Sequence, residues 1–476
     1  RRFRSTSSVL RVIRIIYFYL KGSPSTAVKA LEMSSATTPP LLLLLSTFLV
    51  SAVTATVPLS NTFKFVNAGD FGKYKNEYGA SYRAIPLATS PFLVCFYNTT
   101  PNAYTLALAM STSRSDSVRA WVWEANRGKP VGENAVVALR SDGNLVLTEA
   151  DGRIVWQTNT ANQGVVGFDL LPNGNMVLYD AKRNYLWQSF DSPTDTLLGN
   201  QSLKIGGTNK LVSRASRELN GDGPYSMVLE AKSFSLYYTS PVDSRRYQYF
   251  NFFDWFHLLE SFTLVTLTIG SEDHDPQLYY ISFDYQSNEG GNGSIDLTRN
   301  AYNLRFAYLR LEMDGNVNIY IYADNADSGN GWRTPFSLFS TENYWQVSMC
   351  HLPSRCGNYG LCQDDQCVAC PTGDLQSPAG PLLGWNKNCT SQTVKSCSPN
   401  DFYYYPLVGV DHFSLEFSTG DGPIGQDACI ARCTSNCKCK GSFYHKDTKK
   451  CWPVSDLLTL ISVENSNHLA FIKAPK

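Results

Sequence analysis

One short phrase recurs three times between residues 121 and 190: Val122-Trp123-Glu124-Ala125-Asn126, Val155-Trp156-Gln157-Thr158-Asn159 and Leu186-Trp187-Gln188-Ser189-Phe190. The copies stand 33 and then 31 residues apart. The last two are preceded by Asp142-Gly143-Asn144-Leu145-Val146-Leu147 and Asn173-Gly174-Asn175-Met176-Val177-Leu178. A period of ~20–50 residues marks a repeat architecture. Each unit joins a glycine turn to short strands in which apolar and polar residues alternate, so one unit alone has an apolar face it cannot bury. Three units closed around a common axis bury all three faces. Trp123, Trp156 and Trp187, one per unit, are expected at that axis as core.

The N-terminal end has another character. Residues 1–32 carry seven basic residues (Arg1, Arg2, Arg4, Arg11, Arg14, Lys21, Lys29) against one acid, Glu32. From Met33 a polar stretch leads into the apolar run Leu41 to Val50 and the small-residue site Val53-Thr54-Ala55, the order of a secretory signal peptide. Residues 33–55 are therefore expected to be a signal peptide, and 1–32 an upstream, untranslated extension. Val9 to Leu20, the rival membrane anchor, contains Arg11 and Arg14 and is shorter than the ~20 residues a span needs. Taking seven bases and one acid from the 41 of each sign leaves an excess of six acids on the mature chain. Such a chain has no electrostatic footprint for nucleic acid, and no membrane span is expected in it. Its length calls for several domains.

Cysteine usage divides the chain. Cys95 stands alone before residue 350, whereas Cys350, Cys356, Cys362, Cys367, Cys370, Cys389, Cys397, Cys429, Cys433, Cys437, Cys439 and Cys451 crowd the last quarter. In a secreted segment too short to stabilise itself by burial, twelve cysteines read as six disulfides. Cys95 reads as a buried thiol in the strand-like run Pro91 to Tyr97. A zinc site at Cys367-x-x-Cys370 or Cys437-x-Cys439 is disfavoured by an oxidising compartment, and His351 and His445 lack finger spacing. No metal and no cofactor are expected.

Residues 61–200 hold the repeat. Residues 201–345 again read as strands (Tyr225 to Glu230, Phe234 to Tyr238, Leu278 to Phe283, Leu309 to Tyr320), and Asp314-Gly315-Asn316 restates the turn of the first domain. Disulfide modules follow at 350–389 and 397–476. Gln426 to Ser435 is the one convincing short helix, with Cys429 and Cys433 a turn apart on one face.

The repeat resembles the bulb-type, monocot mannose-binding lectin domain. Trp187-Gln-Ser-Phe-Asp-Ser-Pro-Thr-Asp-Thr-Leu-Leu198 is similar to the plant S-domain proteins that carry it. Cys350-x5-Cys356-Gly-Asn-Tyr-Gly-Leu-Cys362 resembles their EGF-like module, and Cys429-x3-Cys433-x3-Cys437-x-Cys439 with Cys451-Trp452 their PAN/apple domain. From about residue 58 onward the order is most similar to secreted epidermis-specific plant glycoproteins, which resemble S-locus glycoproteins without the kinase. The resemblance implies an all-β chain: tandem β-prism II lectin domains at 61–200 and 201–345, then EGF-like and PAN/apple modules. It also implies pairing of Cys429 with Cys451 and of Cys433 with Cys439, while the spacing at Cys367 and Cys370 departs from the family's tighter form.

The family's mannose site is Gln-x-Asp-x-Asn-x-Val-x-Tyr on one strand. Its alternate residues share a face, so amide, carboxylate and phenol can meet ring hydroxyls while Val packs on ring carbons. Here the copies read Arg140, Asp142, Asn144, Val146, Thr148; then Leu171, Asn173, Asn175, Val177, Tyr179; then Glu312, Asp314, Asn316, Asn318, Tyr320. None is intact. At ~0.5–1.5 kcal/mol per hydrogen bond, losing two contacts weakens a shallow site by one to two orders of magnitude. The competing reading makes the three Asp/Asn-Gly-Asn segments simple tight turns. Multivalency can rescue a weak site. Exposed sugar-stacking aromatics, if any, are sought among Tyr249, Phe252, Phe253 and Trp255, where a second core is an equal reading.

No enzyme is expected. The six histidines (His257, His274, His351, His412, His445, His468) show no metal spacing, no Gly-x-Ser-x-Gly elbow occurs, and Glu272 with Asp275 reads as a polar loop, Gly270 to Gln277. Asn98, Asn200, Asn292 and Asn388 are N-glycosylation acceptors, hence surface positions. The expected function is weak, non-catalytic binding of mannose-type glycans or glycoproteins. The alternative is a wall or protein-interaction scaffold whose sugar sites have decayed. Both leave room for a homodimer through the PAN or lectin domains, and for a secreted protein of the apoplast or cell wall, with the vacuole as the other destination. A receptor ectodomain is disfavoured because no apolar span follows His468 to Lys476.

Overall fold

The computed structural model describes residues 56–476, apart from 111–117, 323–331, 372–381 and positions 259, 273, 303, 305, 343, 344, 346, 388, 392, 393 and 395. The extension at 1–32, the signal peptide at 33–55 and Asn388 lie outside the described residues.

Three antiparallel sheets make the first unit. One runs Ser81–Thr89, Phe92–Asn98, Thr105–Met110, Ala120–Glu124. The next sets Phe63–Val66 beside Val136–Leu139, Leu145–Thr148 and Ile154–Gln157, and the third is Gly167–Leu170, Met176–Tyr179, Tyr185–Gln188. The last strand of each sheet delivers one tryptophan to the axis. Trp123, Trp156 and Trp187 meet edge to face, with centroids 5.8–6.1 Å apart and planes at 75–76°. Edge-to-face packing sets the positive rim of one ring against the negative face of the next, worth about 0.5–1.5 kcal/mol per pair beyond area burial. Trp123 also donates its indole N–H to Ser192 O at 2.9 Å. Leu145, Leu147, Met176 and Leu178 turn inward beside them.

The turns obey steric rules. Gly143 (φ +86°) and Gly174 (φ +87°) sit in the left-handed region, and a Cβ on them would come within 2.8 Å of Val165 and 2.7 Å of Phe92. Glycine is required there twice over, by conformation and by space.

The second unit also has three sheets. Three short strands in succession, Thr196–Leu198, Ser202–Lys204 and Lys210–Arg214, each start a different one. Thr196–Leu198 pairs with Phe306–Leu311, so the second unit begins a few residues earlier than residue 201. The other two sheets carry Phe262–Glu272, Asp275–Ser287, Asn292–Tyr302 and Asp222–Glu230, Ser233–Thr239, Arg246–Asn251. Glu272 and Asp275 therefore face each other across a tight hairpin rather than lying in a loop. The aromatic stretch forms core: Tyr247, Tyr249, Phe250, Phe252 and Phe253 are buried, and of the four candidate stacking aromatics only Trp255, at 41 % exposure, is exposed. A one-turn helix, Phe252–Trp255, interrupts this stretch, with Asn251 Oδ1 accepting from Phe253 N–H. Propensity gave no sign of it; tertiary packing of the two phenylalanines overrides their β preference.

The cysteine-rich region forms two sheets. Leu382–Gly384, Gln366–Pro371 and Tyr359–Gln363 continue through a parallel pairing into Leu458–Ser462 and then Val410–His412. The second sheet is Phe402–Val408, His468–Pro475, Gly441–His445, Lys450–Val454, with the helix Gln426–Thr434 against it. Six disulfides join Cys350–Cys362, Cys356–Cys367, Cys370–Cys389, Cys397–Cys437, Cys429–Cys451 and Cys433–Cys439. Cys95 is a free, fully buried thiol, pushed up to about 12 by burial, against which Arg119 acts weakly.

Candidate carbohydrate-binding site

The three nonapeptide copies lie on three different sheets and do not converge. In the first, Asn144 is used internally: its Nδ2 donates to Gln157 Oε1 at 2.9 Å, and its Oδ1 accepts from Thr158 Oγ1 at 3.1 Å and Thr160 N–H at 3.3 Å. Asp142 Oδ1 accepts from Asn144 N–H at 2.9 Å. The second repeats the pattern. Asn175 Nδ2 donates to Gln188 Oε1 at 2.9 Å, Asn175 Oδ1 accepts from Phe190 N–H at 3.2 Å, and Asn173 Oδ1 accepts from Asn175 N–H at 3.1 Å. Both asparagines are thus bound to the glutamine that follows the repeat tryptophan, 13 residues on in each case. This constant offset was the readable signal for Gln157 and Gln188, two residues that sequence reasoning passed over.

Val146 and Val177 are buried at 1 % and 0 % exposure, so neither presents a surface to a sugar ring. Each lies on the inner strand of its sheet, flanked on both sides. Arg140 and Asn173 are exposed, and Asp142, Leu171 and Tyr179 half-buried, while Thr148 is buried. At the second copy the Arg183 guanidinium lies 4.1 Å from the Tyr179 ring centroid and pairs with Asp169 at 2.7 Å. There an aromatic ring lies beside charges of both signs.

The third copy is wired differently. Asn316 still holds its turn, accepting from Phe339 N–H at 3.0 Å and Val317 N–H at 2.8 Å. Asn316 N–H in turn donates to Asp314 Oδ1 at 2.9 Å. Asn318 Nδ2 donates to Tyr320 Oη at 3.3 Å, and Tyr320 donates to Glu312 Oε1 at 2.7 Å. Asn318 Oδ1 is buried and has no hydrogen-bond partner among the described residues. Burial pushes the Glu312 carboxyl up to about 7, against the pull of Arg310 and of the Tyr320 hydrogen bond, with Glu77 and Asp195 adding to the rise.

Where the first phrase has Glu124 in place of glutamine, the role changes. Glu124 accepts from Arg127 Nε at 2.7 Å and Arg214 Nη1 at 3.3 Å, and from the Tyr97 hydroxyl. Arg127 also meets Asp195 at 2.5 Å. Arg310 adds a second link, to Glu77 at 2.6 Å and Trp121 O at 2.7 Å. The two three-sheet units are therefore joined by buried, paired charges, where removal of one partner is costly.

Among the described residues no helix is long and apolar enough to cross a membrane. Trp-lined sheets with Asp-Gly and Asn-Gly turns leading into their inner strands make a lectin-type β-prism, and the family model described as D-mannose binding lectin matches residues 120–218. EP1-like glycoprotein 4 of Arabidopsis thaliana is 43 % identical over 93 % of this chain and 98 % of its own. Epidermis-specific secreted glycoprotein EP1 of Daucus carota is 47 % identical over 74 % of this chain and 92 % of its own. S-locus-specific glycoprotein BS29-2 of Brassica oleracea var. alboglabra is 26 % identical over 68 % and 72 %. The chain belongs to the EP1-like glycoproteins, a family built on the bulb-type lectin domain.

Proposed function

We propose that this protein is a secreted, non-catalytic glycoprotein that binds mannose-type glycans or glycoproteins weakly through degenerate sites on the repeat sheets. The observation that carries the reading is the surface of the second copy. Half-buried Tyr179 and the Arg183–Asp169 pair supply an aromatic ring, donors and an acceptor at one end of the sheet, with exposed Asn173 at the turn that begins the same strand. Lectin-like domains at 61–195 and 196–345, an EGF-like module at 350–389 and a PAN/apple module at 397–476 accompany it, with N-glycans at Asn98, Asn200, Asn292 and Asn388. Asn200 and Asn292 are exposed and Asn98 half-buried at a strand end, which supports their modification.

A second reading is a wall or protein-interaction scaffold without sugar binding. It is favoured by Asn144 and Asn175, whose amides are occupied within the fold. A glycan array with the secreted, glycosylated protein and free mannose as competitor separates the two. The lectin reading expects a mannose-competed signal that Tyr179→Ala weakens by about tenfold, the loss of one to two contacts. A blank array from folded protein leaves the scaffold. Variants at Asn144, Asn175 or Asn316 do not serve here, because they test the turns.

A further inference from the structure

We propose that Asp411, His445 and His468 form a binding site for a divalent transition ion of the zinc–copper class. His445 and His468 stand directly opposite each other on neighbouring antiparallel strands, and their rings stack with centroids 3.5 Å apart and planes at 17°. Asp411 reaches them from the middle of Val410–His412, a strand of the other C-terminal sheet. Each of its oxygens meets one ring: Oδ1 lies 3.0 Å from His445 Nε2 and Oδ2 2.8 Å from His468 Nδ1. One ligand atom from each of the three residues falls within 4.8 Å of the others.

Four-coordinate zinc with bonds of about 2.0–2.1 Å sets its donors about 3.3 Å apart; the two carboxylate–imidazole separations already lie near that spacing, and the stacked rings must turn out of parallel to aim both nitrogens at one ion. Two imidazole nitrogens and one carboxylate suit zinc or copper; calcium and magnesium would demand mostly oxygen. The three side chains are 14–18 % exposed, which gives the ion an entry path and leaves water a coordination position. Because Asp411 and the histidines come from different sheets, the ion would clip together the sheet shared by both disulfide segments and the sheet that carries the helix. Sequence spacing hid the site: its members are 34 and 57 residues apart and meet only through strand pairing.

The test is calorimetric titration of the chelator-treated, secreted protein with zinc chloride, alongside copper electron paramagnetic resonance. One saturable equivalent is expected, with a rise in thermal midpoint on zinc addition. His445→Gln and His468→Gln should each weaken binding at least about tenfold, and His257→Gln should leave it unchanged. The copper spectrum should show nitrogen coordination, a readout that needs no variant to fold. Absence of a saturable site, unchanged affinity in the His445→Gln/His468→Gln double variant, or oxygen-only coordination would overturn the proposal. The simple alternative, two imidazoles hydrogen-bonded to one carboxylate, would then describe the cluster.

Discussion

The two three-sheet units solve one packing problem with different side chains. In the first, three tryptophans fill the axis and the cluster around them draws almost wholly on residues of that unit, with Leu198 and Tyr308 as buried visitors. In the second, the apolar cluster does not close. It runs from Leu197 through Phe252 and Phe283 to Leu460 and Ala474 in the cysteine-rich sheets. Polar ties follow the same path, with Tyr247 Oη at 3.0 Å from Ser455 Oγ and Arg245 Nη1 donating to Pro453 O at 2.8 Å. A self-contained core keeps its repeat legible, because each copy must fit the same axis. A core shared with another module is free to diverge.

The largest effect should come from the axis. Trp123→Ala is expected to cost about 3–5 kcal/mol and to split calorimetric unfolding into an early transition of the first unit and a later one of the rest. A single transition at lowered temperature would mean that the two cores melt as one. Next is the seam. Glu124→Gln makes the first phrase match the other two but takes from Arg214 its carboxylate partner, while Arg127 keeps Asp195, so a loss of about 3 kcal/mol in denaturant unfolding is expected. If the variant is neutral, the seam does not couple the units.

Smaller effects distinguish turn from site. Asn175→Ala should cost about 1–3 kcal/mol by leaving Gln188 and Phe190 N–H without their partner, whereas exposed Asn173→Ala should cost about 0.5 kcal/mol or less in urea titrations. Equal losses would remove the distinction.

The smallest is a tilt in the pH profile. Glu312, raised to about 7 from its ordinary 4.5, binds its proton more tightly folded than unfolded. Its contribution is therefore full below about pH 4.5 and fades as pH rises toward 7. Asp195 runs the other way: burial would raise it, but Arg127 and Arg310 outweigh burial and hold it below its ordinary 3.8, so its contribution is lost only as pH falls further. Thermal midpoints of Glu312→Gln across about pH 2–8 should lose the neutral-side decline and keep the acid-side one.

The residues Trp123, Trp156 and Trp187, the glycines of the turns, the run of twelve cysteines and the helix near Gln426 were legible in sequence, because each rests on local periodicity, φ preference or composition. The start of the second unit at Thr196, the one-turn helix at Phe252 and the burial of Val146 and Val177 were not. They depend on which strands become neighbours, and pairing partners are chosen by the whole sheet. The same holds for chemistry. Sequence alone determined that the chain carries a threefold repeat with degenerate nonapeptides; only tertiary structure decided that Asn144 and Asn175 bind Gln157 and Gln188. Tertiary structure also brought Glu124 to Arg214 and Asp411 to His445 and His468, since hydrogen bonds and ion contacts act over about 3 Å of space, however many residues lie between the partners.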